Sequence, residues 1–320
     1  MKLVENLHCL DAQEMRKAYG GALLAVMKEN PNVMALDCDL SSSMGTTNLY
    51  KEVPQQSYNC GIQEANACGM AAGLSTVGYI PFVHSFAVFT SRRMFDQAFL
   101  SCAYAGRNVK LIGGDAGVSA AANGGTHMAF EDMALMRTIP GAVVVEASDP
   151  VQMRSVVPQI AAHDGVVYLR MVRKDVIRIY EEGSEFQLGK AAVIREGDDV
   201  TLIACGIMVD EALKAAEMLA EEGISARVVD MFTVKPIDVE CVVESAKRTG
   251  AIVTAENHNA IGGLGSAVAE VLVENAPVPM ERVGVKESFG EVGKQRDLMG
   301  RFGLTAEVIV EKAKLAISRK

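Results

Sequence analysis

The 320-residue sequence contains no tryptophan, and aromatic residues make up only 5% of it. Its apolar content of 49% therefore comes mostly from small and aliphatic side chains, which together with 29 glycines is typical of layered α/β proteins. No apolar run is long enough to cross a bilayer, and the N-terminal segment lacks the apolar stretch of a signal peptide. We therefore expect neither a membrane-spanning segment nor a secreted protein.

An excess of basic charge is also missing. The chain has 31 Lys and Arg against 40 Asp and Glu, which gives a formal net charge of -9. Nucleic acid is therefore not an expected partner, whereas a small anionic substrate needs only a local arginine cluster. The seven cysteines form no C-x-x-C pair and the five histidines are dispersed, so we expect no metal site and a reducing, cytoplasmic environment.

Several motifs of nucleotide and hydrolase chemistry are absent. There is no G-K-[ST] phosphate loop, no G-x-S-x-G elbow, and no Gly-Asp-Gly followed by Asn at the spacing that holds Mg²⁺ and a diphosphate. The glycine cluster at 262–266 lacks the full G-x-G-x-x-G spacing, and we interpret it as a tight turn into a packed helix.

What is present is a regular alternation of apolar strands and helical segments. The pattern runs through residues 1–180, is interrupted by the polar, glycine-punctuated stretch near 174–189, and restarts over 188–320. Continuous apolar strands that alternate with helices predict an α/β fold of two domains, each a mostly parallel sheet covered by helices. Helices are expected over 63–76 and 92–104, and a small-residue loop over 114–127.

Two features of the first domain point to chemistry. Glu64 begins a helix whose neighbours are almost all Ala, Gly, Met or Leu, a setting that favours a neutral, proton-sharing carboxyl. The alternative is a glutamate that faces water at a helix N-terminus. Phe86 and Phe89 are spaced i, i+3, which is typical of core packing but also permits stacking on a ligand ring.

Longer stretches resemble a known family. The segments GIQEANACGMAAG, SFAVFTSRRMFDQ and GGDAGVSAAANGGTHMAFEDMALMRTIPG, together with RKA at 16–18 and DLSSS at 39–43, resemble the pyrimidine-binding domain of transketolases. Residues 188–320 resemble the family's C-terminal domain. The resemblance spans the whole chain but only the second half of an ordinary transketolase. It therefore implies the C-terminal subunit of a split enzyme.

The resemblance implies thiamine diphosphate as cofactor. In the family, a glutamate that matches Glu64 hydrogen-bonds the aminopyrimidine ring and so promotes removal of the thiazolium proton. Phe86 and Phe89 match the aromatic wall under that ring. Arg92 falls at a third wall position that is often Tyr, unless it points outward. Asp39 matches an acid near the cofactor at the subunit interface, unless it caps a turn.

Partners follow from the same resemblance. An N-terminal subunit would carry the diphosphate site and hold Mg²⁺ or Ca²⁺, and the assembly would be a heterotetramer with two copies of each chain. The substrates would be sugar phosphates, held by residues that match the family's arginine, serine and histidine contacts: Arg16, Ser43, Asn123, His127 and Arg173. Arg170 either reaches the phosphate or forms a structural ion pair.

Two departures bear on specificity. Asn123 stands where the family usually has Asp, and Gly114 stands at a common His position in a loop that reads as one residue longer. The identity of the donor sugar therefore stays open, and branched or sulfonated ketoses are alternatives to an ordinary pentose-phosphate role.

The resemblance implies a transferase that moves a two-carbon ketol unit from a ketose phosphate to an aldose phosphate and works only with its partner. Three different functions stay open, namely half of a deoxyxylulose phosphate synthase, the β-subunit of a 2-oxo-acid dehydrogenase, and a non-catalytic regulatory subunit. NGGTHMAFED and the pair of Arg16 and Arg173 favour a sugar phosphate.

Overall fold

The computed structural model describes residues 1–320 and contains two β-sheets flanked by helices. The strands are β1 (Val33–Asp37), β2 (Ser57–Asn59), β3 (Ile80–Phe86), β4 (Lys110–Gly114), β5 (Val143–Glu146), β6 (Val167–Arg170), β7 (Ala192–Arg195), β8 (Val200–Ala204), β9 (Ala226–Asp230), β10 (Thr233–Lys235), β11 (Ile252–Asn259) and β12 (Met280–Val285).

The α-helices are α1 (Met15–Glu29), α2 (Ser41–Met44), α3 (Leu49–Glu52), α4 (Glu64–Thr76), α5 (Ala87–Arg92), α6 (Phe95–Gln97), α7 (Asp132–Arg137), α8 (Pro150–Ala162), α9 (Met208–Glu221), α10 (Val239–Thr249), α11 (Leu264–Asn275), α12 (Gln295–Phe302) and α13 (Ala306–Ile317). Two 3₁₀ turns, Pro54–Gln56 and Gly117–Asn123, and one π-helical segment, Ala98–Tyr104, complete the secondary structure. No helix combines the length and the apolar content needed to cross a membrane.

The larger sheet has seven strands in the order β10-β5-β6-β4-β3-β1-β2. Its strands pair in parallel except for β10, which runs antiparallel to β5. Helices cover both faces, which explains why β4, β5 and β6 are buried throughout and read as continuous apolar runs. The carboxyl ends of β1, β3, β4 and β6 meet at one edge, which is where open α/β sheets bind ligands.

The smaller sheet has five strands in the order β12-β11-β8-β9-β7, parallel except for β7 against β9. Alternate residues of β8 point into different cores, because Ile203 joins the cluster that contains α10 and α11, while Leu202 joins the cluster that contains α9 and α13. The predicted α/β fold with two helix-covered, mostly parallel sheets is confirmed.

The two sheets are joined by more than the linker. Strand β10 follows β9 in the second block of sequence but adds to the edge of the first sheet. The N-terminal segment pairs with the stretch after β6 through bridges from Leu3 to Tyr180 and from Leu10 to Ile177. His8 Nδ1 then lies 2.6 Å from a carboxylate oxygen of Asp210 in α9. The predicted boundary therefore separates two sheets that share side-chain and backbone contacts.

The predicted single helix over 92–104 is wrong. Helix α5 ends at Arg92, and Met94, with φ -108°, separates it from α6 and the π-helical segment. After this break, the rings of Phe95 and Phe99 lie 6.2 Å apart and pack against the core that also contains residues of α4. The short elements α2, α3 and β2 were not predicted, because segments of at most four residues show no periodicity.

The glycine cluster 262–266 forms the predicted tight turn into a packed helix. The backbone N–H groups of Leu264 and Gly265, at the start of α11, donate to the buried carboxylate of Glu256 at 2.7 and 2.8 Å. A side chain at Gly263 would collide with that carboxylate. The helix N-terminus is therefore satisfied by the chain's own glutamate.

Candidate active site

Glu64 is the first residue of α4, and its side chain is buried. Gly61, with φ 77°, turns the chain just before the helix. Ser85 Oγ donates to Glu64 Oε1 at 3.1 Å, and Arg93 Nη1 lies 3.2 Å from Oε2. The carboxylate thus occupies a helix N-terminus, where the dipole favours negative charge, yet it faces side chains rather than open water.

Arg93 is a neighbour of Glu64 that the sequence did not identify. Its guanidinium carbon lies 3.8 Å from the centroid of the Phe89 ring, while its Nη1 contacts both Glu64 oxygens. The resemblance drew attention to Arg92 instead, and the doublet at 92–93 was the one available signal. The Arg93 guanidinium therefore contacts both the Glu64 carboxylate and the Phe89 ring.

The aromatic wall forms where β3 passes into α5. The rings of Phe86 and Phe89 have centroids 6.3 Å apart and are tilted by 45°. His127 meets both rings edge-on, at 5.9 and 5.3 Å. Phe86 belongs to a cluster of five buried residues that is separate from the main cores, and Phe89 packs against it while partly exposed. The rings therefore border the site instead of filling the domain core.

Arg173 lies at the other end of the same site. Its Nη1 donates to Ser43 Oγ at 3.4 Å, its Nη2 lies 3.4 Å from Asp115 Oδ2, and its guanidinium carbon is 5.9 Å from the Phe86 ring. Asn123 Nδ2 donates to the same Asp115 oxygen at 3.3 Å. The structure thus brings together Ser43, Asn123 and Arg173 as predicted, around a carboxylate that the sequence reasoning missed.

Asp115 follows the carboxyl end of β4 and is 1% exposed. Its backbone has φ 58°, in the left-handed region that Asp tolerates better than most residues. Burial raises the pKa of this carboxyl to about 6, against the lowering effect of the Arg173 charge. A carboxylate that follows two glycines at the end of a predicted strand was the signal that could have found it.

Arg16, the second residue of α1, belongs to the same cluster of side chains. Its Nη1 donates to the backbone carbonyl of Ser42 at 2.9 Å, and its Nε donates to Glu14 at 3.0 Å. Its backbone N–H donates to the carbonyl of Arg173 at 3.2 Å. The two arginines predicted to bind the substrate anion therefore lie on adjoining segments.

Two predicted cofactor residues make other contacts. Arg92 is half exposed, its Nε pairs with Glu131 at 2.9 Å, and its Nη2 donates to the carbonyl of Thr126 at 3.5 Å. Asp39 is exposed, has φ 62°, and accepts a hydrogen bond from Asn59 Nδ2 at 3.0 Å.

Arg170 is a structural ion-pair partner and is fully buried. Its Nε donates to Asp132 at 2.7 Å, its Nη1 to Glu146 at 2.5 Å, and its Nη2 to two backbone carbonyls. Every nitrogen is engaged and the side chain is inaccessible to solvent, so we assign Arg170 to the structural ion pair instead of a substrate phosphate. At Gly114, a Cβ would lie 2.5 Å from Met44 Sδ, so this position has no room for a side chain unless Met44 moves.

The side chains suit the pyrimidine half of thiamine diphosphate. A buried carboxylate beside two phenylalanine rings offers a hydrogen-bond partner for a ring nitrogen and apolar surface for the ring itself. No group of three or more His, Cys, Asp or Glu side chains is arranged to hold a metal ion.

Two protein families match the chain. Residues 11–177 match the transketolase pyrimidine-binding domain, and residues 189–309 match the transketolase C-terminal domain. These domains imply dependence on thiamine diphosphate. The chain is 51% identical over 311 residues to the 6-deoxy-6-sulfo-D-fructose transketolase subunit of Clostridium sp. strain MSTE9, covering 97% of each chain.

Further relatives agree. An apulose-4-phosphate transketolase subunit of Phocaeicola vulgatus is 38% identical, with 93% of this chain and 96% of the relative covered. A solved structure described as a split gene transketolase, inactive beta4 tetramer, superimposes with a TM-score of 0.89 at 46% identity, covering 97% of this chain and all of that one. The chain belongs to the transketolase family and is a subunit of a transketolase-type enzyme.

Proposed function

We propose that this chain, together with an N-terminal subunit, transfers a two-carbon ketol unit from a ketose to an aldose phosphate. The observation that carries the proposal is the buried Glu64 carboxylate at the start of α4. The Arg93 guanidinium connects this carboxylate to the Phe89 ring, since it contacts both. The partner would hold the diphosphate and Mg²⁺ or Ca²⁺, since this chain groups no side chains for a metal.

The residues of this chain have separable tasks. Glu64 would hold or release a proton at one of its Oε atoms, and Ser85 orients the carboxylate through its 3.1 Å hydrogen bond. Phe86 and Phe89 would offer apolar surface to the pyrimidine ring and keep water from it. When bound, thiamine diphosphate supplies the carbon nucleophile that takes up the two-carbon unit. His127, edge-on to both rings, would hydrogen-bond a sugar hydroxyl.

Arg16 and Arg173 would hold the anionic tail of the ketose, because a guanidinium fork matches the oxygens of a phosphate or sulfonate. Among donors we favour a sulfonated ketose, supported by the relative at 51% identity whose name gives 6-deoxy-6-sulfo-D-fructose. An ordinary pentose-phosphate donor and the branched sugar named for the relative at 38% identity are the alternatives.

The assembly we propose is a heterotetramer with two copies of each chain. Apolar side chains are exposed around the start of α4 and along the π-helical segment, including Ile62 at 75% and Tyr104 at 85%. On α4 itself, a Cβ added at Gly69 or Gly73 would meet nothing within 4 Å. Exposed apolar surface beside small residues is typical of a subunit interface.

We also propose a cytoplasmic location for the chain. All seven cysteines are free, which is typical of proteins in a reducing compartment.

The first prediction concerns Glu64. Glu64→Gln in the assembled complex should lower kcat by about 10²-fold or more, because the amide cannot exchange a proton with the ring. Glu274→Gln, an exposed glutamate on α11, is the matched control and should leave kcat unchanged. Formation of the ketose product is the measurement, with assembly checked by size-exclusion chromatography.

The same assay separates the alternatives. Full activity of the Glu64→Gln complex would show that the subunit is not catalytic. Consumption of pyruvate instead of a ketose by the wild-type complex would favour a 2-oxo-acid dehydrogenase or a deoxyxylulose phosphate synthase.

A further inference from the structure

Asp115 places a negative charge inside the arginine cluster that would bind the substrate's anionic tail. Its Oδ2 lies 3.4 Å from Arg173 Nη2, and the residue is 1% exposed. Its other oxygen, Oδ1, is buried and accepts no hydrogen bond. The Nε of Arg173 is also buried and donates none. The pair is therefore loose, in contrast to Arg170, whose nitrogens are all engaged by close acceptors.

The backbone around Asp115 is held by the second domain. Asn257 in β11 accepts a hydrogen bond from the N–H of Val118 at 3.0 Å and donates to the carbonyl of Ala116 at 3.1 Å. Together with the left-handed backbone at Asp115, this clamp aims the carboxylate at Arg173. The position of the negative charge is thus set by the fold and not by a flexible surface side chain.

The Asp115 carboxylate opposes the cations of this end of the site. Three cations, Arg16, Arg173 and Lys174, act on the Asp115 carboxyl. Glu14, the other nearby carboxylate, lies 3.0 Å from Arg16 and 3.4 Å from Lys17. The charge of Asp115 repels a phosphate monoester, which carries about two negative charges at pH 8, more strongly than a sulfonate, which carries one.

We propose that Asp115 is a specificity-determining residue that selects ketoses with a monoanionic tail over ketoses with a dianionic one. The proposal rests on the proposed function, since it assigns the tail to the Arg16 and Arg173 end of the site. The carboxylate repels the second charge of a phosphate, while both arginines keep donors for the oxygens of a sulfonate.

The experiment compares two donors of the same carbon skeleton, 6-deoxy-6-sulfo-D-fructose and fructose 6-phosphate, at pH 8 with the complex of both subunits. D-Glyceraldehyde serves as acceptor because it has no charge, and L-erythrulose serves as a donor without an anionic tail whose transfer products differ from the substrates. Asp115→Asn removes the charge, and Asn keeps the left-handed backbone. Asp297→Asn, an exposed aspartate on α12, is the matched control.

We expect the wild-type complex to prefer the sulfonated donor, and Asp115→Asn to raise the kcat/KM ratio of phosphate donor to sulfonate donor about 10-fold. The value for L-erythrulose should stay unchanged, which excludes general damage. An unchanged ratio in Asp115→Asn, or a wild-type preference for the phosphate, would overturn the selectivity proposal. A wild-type complex inactive with all three donors would overturn the proposed function itself.

Discussion

At the scale of single residues, Arg170 and Arg173 lie three residues apart but have different roles. Arg170 ends β6 inside the protein and donates to two carboxylates and two carbonyls. Arg173, three residues on, is partly exposed and keeps an unpaired Nε beside a loose carboxylate. A buried charge is tolerated when it is paired and hydrogen-bonded, as Arg170 is, whereas Arg173 is available for a ligand.

Asp230 gives a residue-scale prediction about pH. Burial raises the pKa of this carboxyl to about 7, although Tyr180, Gln152 and Ser148 donate hydrogen bonds to its Oδ2. The folded state therefore holds a proton that the unfolded chain releases near pH 4. The stability from this proton is present below pH 4 and is lost as the pH rises through 7.

Asp230→Asn removes that titration. The Tm of the wild type minus that of the variant should therefore fall by several degrees between pH 5 and pH 8, as measured by differential scanning calorimetry. Asp297→Asn, which alters an exposed aspartate, should give a difference that is flat with pH. A flat difference for Asp230→Asn as well would contradict the burial argument.

The sequence predicted Glu64 and the two wall phenylalanines because they lie in long segments that resemble the family, and it predicted Arg16 and Arg173 because they fall at matching places along the chain. It did not find Arg93 or Asp115, since their roles depend on contacts between distant segments. Arg93 meets a residue 29 positions away, and the loop that carries Asp115 is held by Asn257 from the other domain. A single sequence contains no local pattern for such pairs.

At the scale of elements, the active-site loop between β4 and α7 depends on glycine at one position. Gly117 has φ 59°, and a Cβ there would lie 2.2 Å from Asn257 Oδ1. The close approach is what lets Asn257 bond both Val118 and Ala116. The 3₁₀ turn that follows was predicted as an irregular loop, because small residues without periodicity give no signal for a short helix.

Gly117→Ala should therefore lower the Tm and raise KM for the donor. The added Cβ costs about 1–2 kcal/mol for the left-handed backbone and a similar amount for the collision with Asn257. Gly223→Ala is a matched control, since Gly223 has φ 78° and its Cβ would meet nothing within 4 Å. The control should lower the Tm less and leave KM unchanged, and equal effects of both variants would contradict the clamp.

At the scale of the whole molecule, two sheets predicted from the restart of the sequence pattern form a joined body. The Arg170 network links β6 with the backbone of β11, and Asp230 at the end of β9 accepts hydrogen bonds from three residues that precede the second domain. The sequence pattern predicted two domains. It predicted neither the hydrogen bonds between them nor the pairing of β10 with the first sheet, because both depend on contacts between segments that are distant in sequence.

The proposed function divides one site between two chains. This chain would supply the Glu64 carboxylate, the aromatic wall and the arginines for the anionic tail, and an N-terminal subunit would hold the diphosphate and the metal ion. The central claim is therefore a division of labour between two subunits.

Reconstitution tests this claim most directly. The purified chain, an N-terminal transketolase subunit, and the mixture of both are each supplied with thiamine diphosphate, Mg²⁺, a ketose donor and an aldose phosphate, and transfer of the two-carbon unit is measured. We predict no turnover by either chain alone and turnover by the mixture. Turnover by a homogeneous preparation of this chain without a partner would contradict the account.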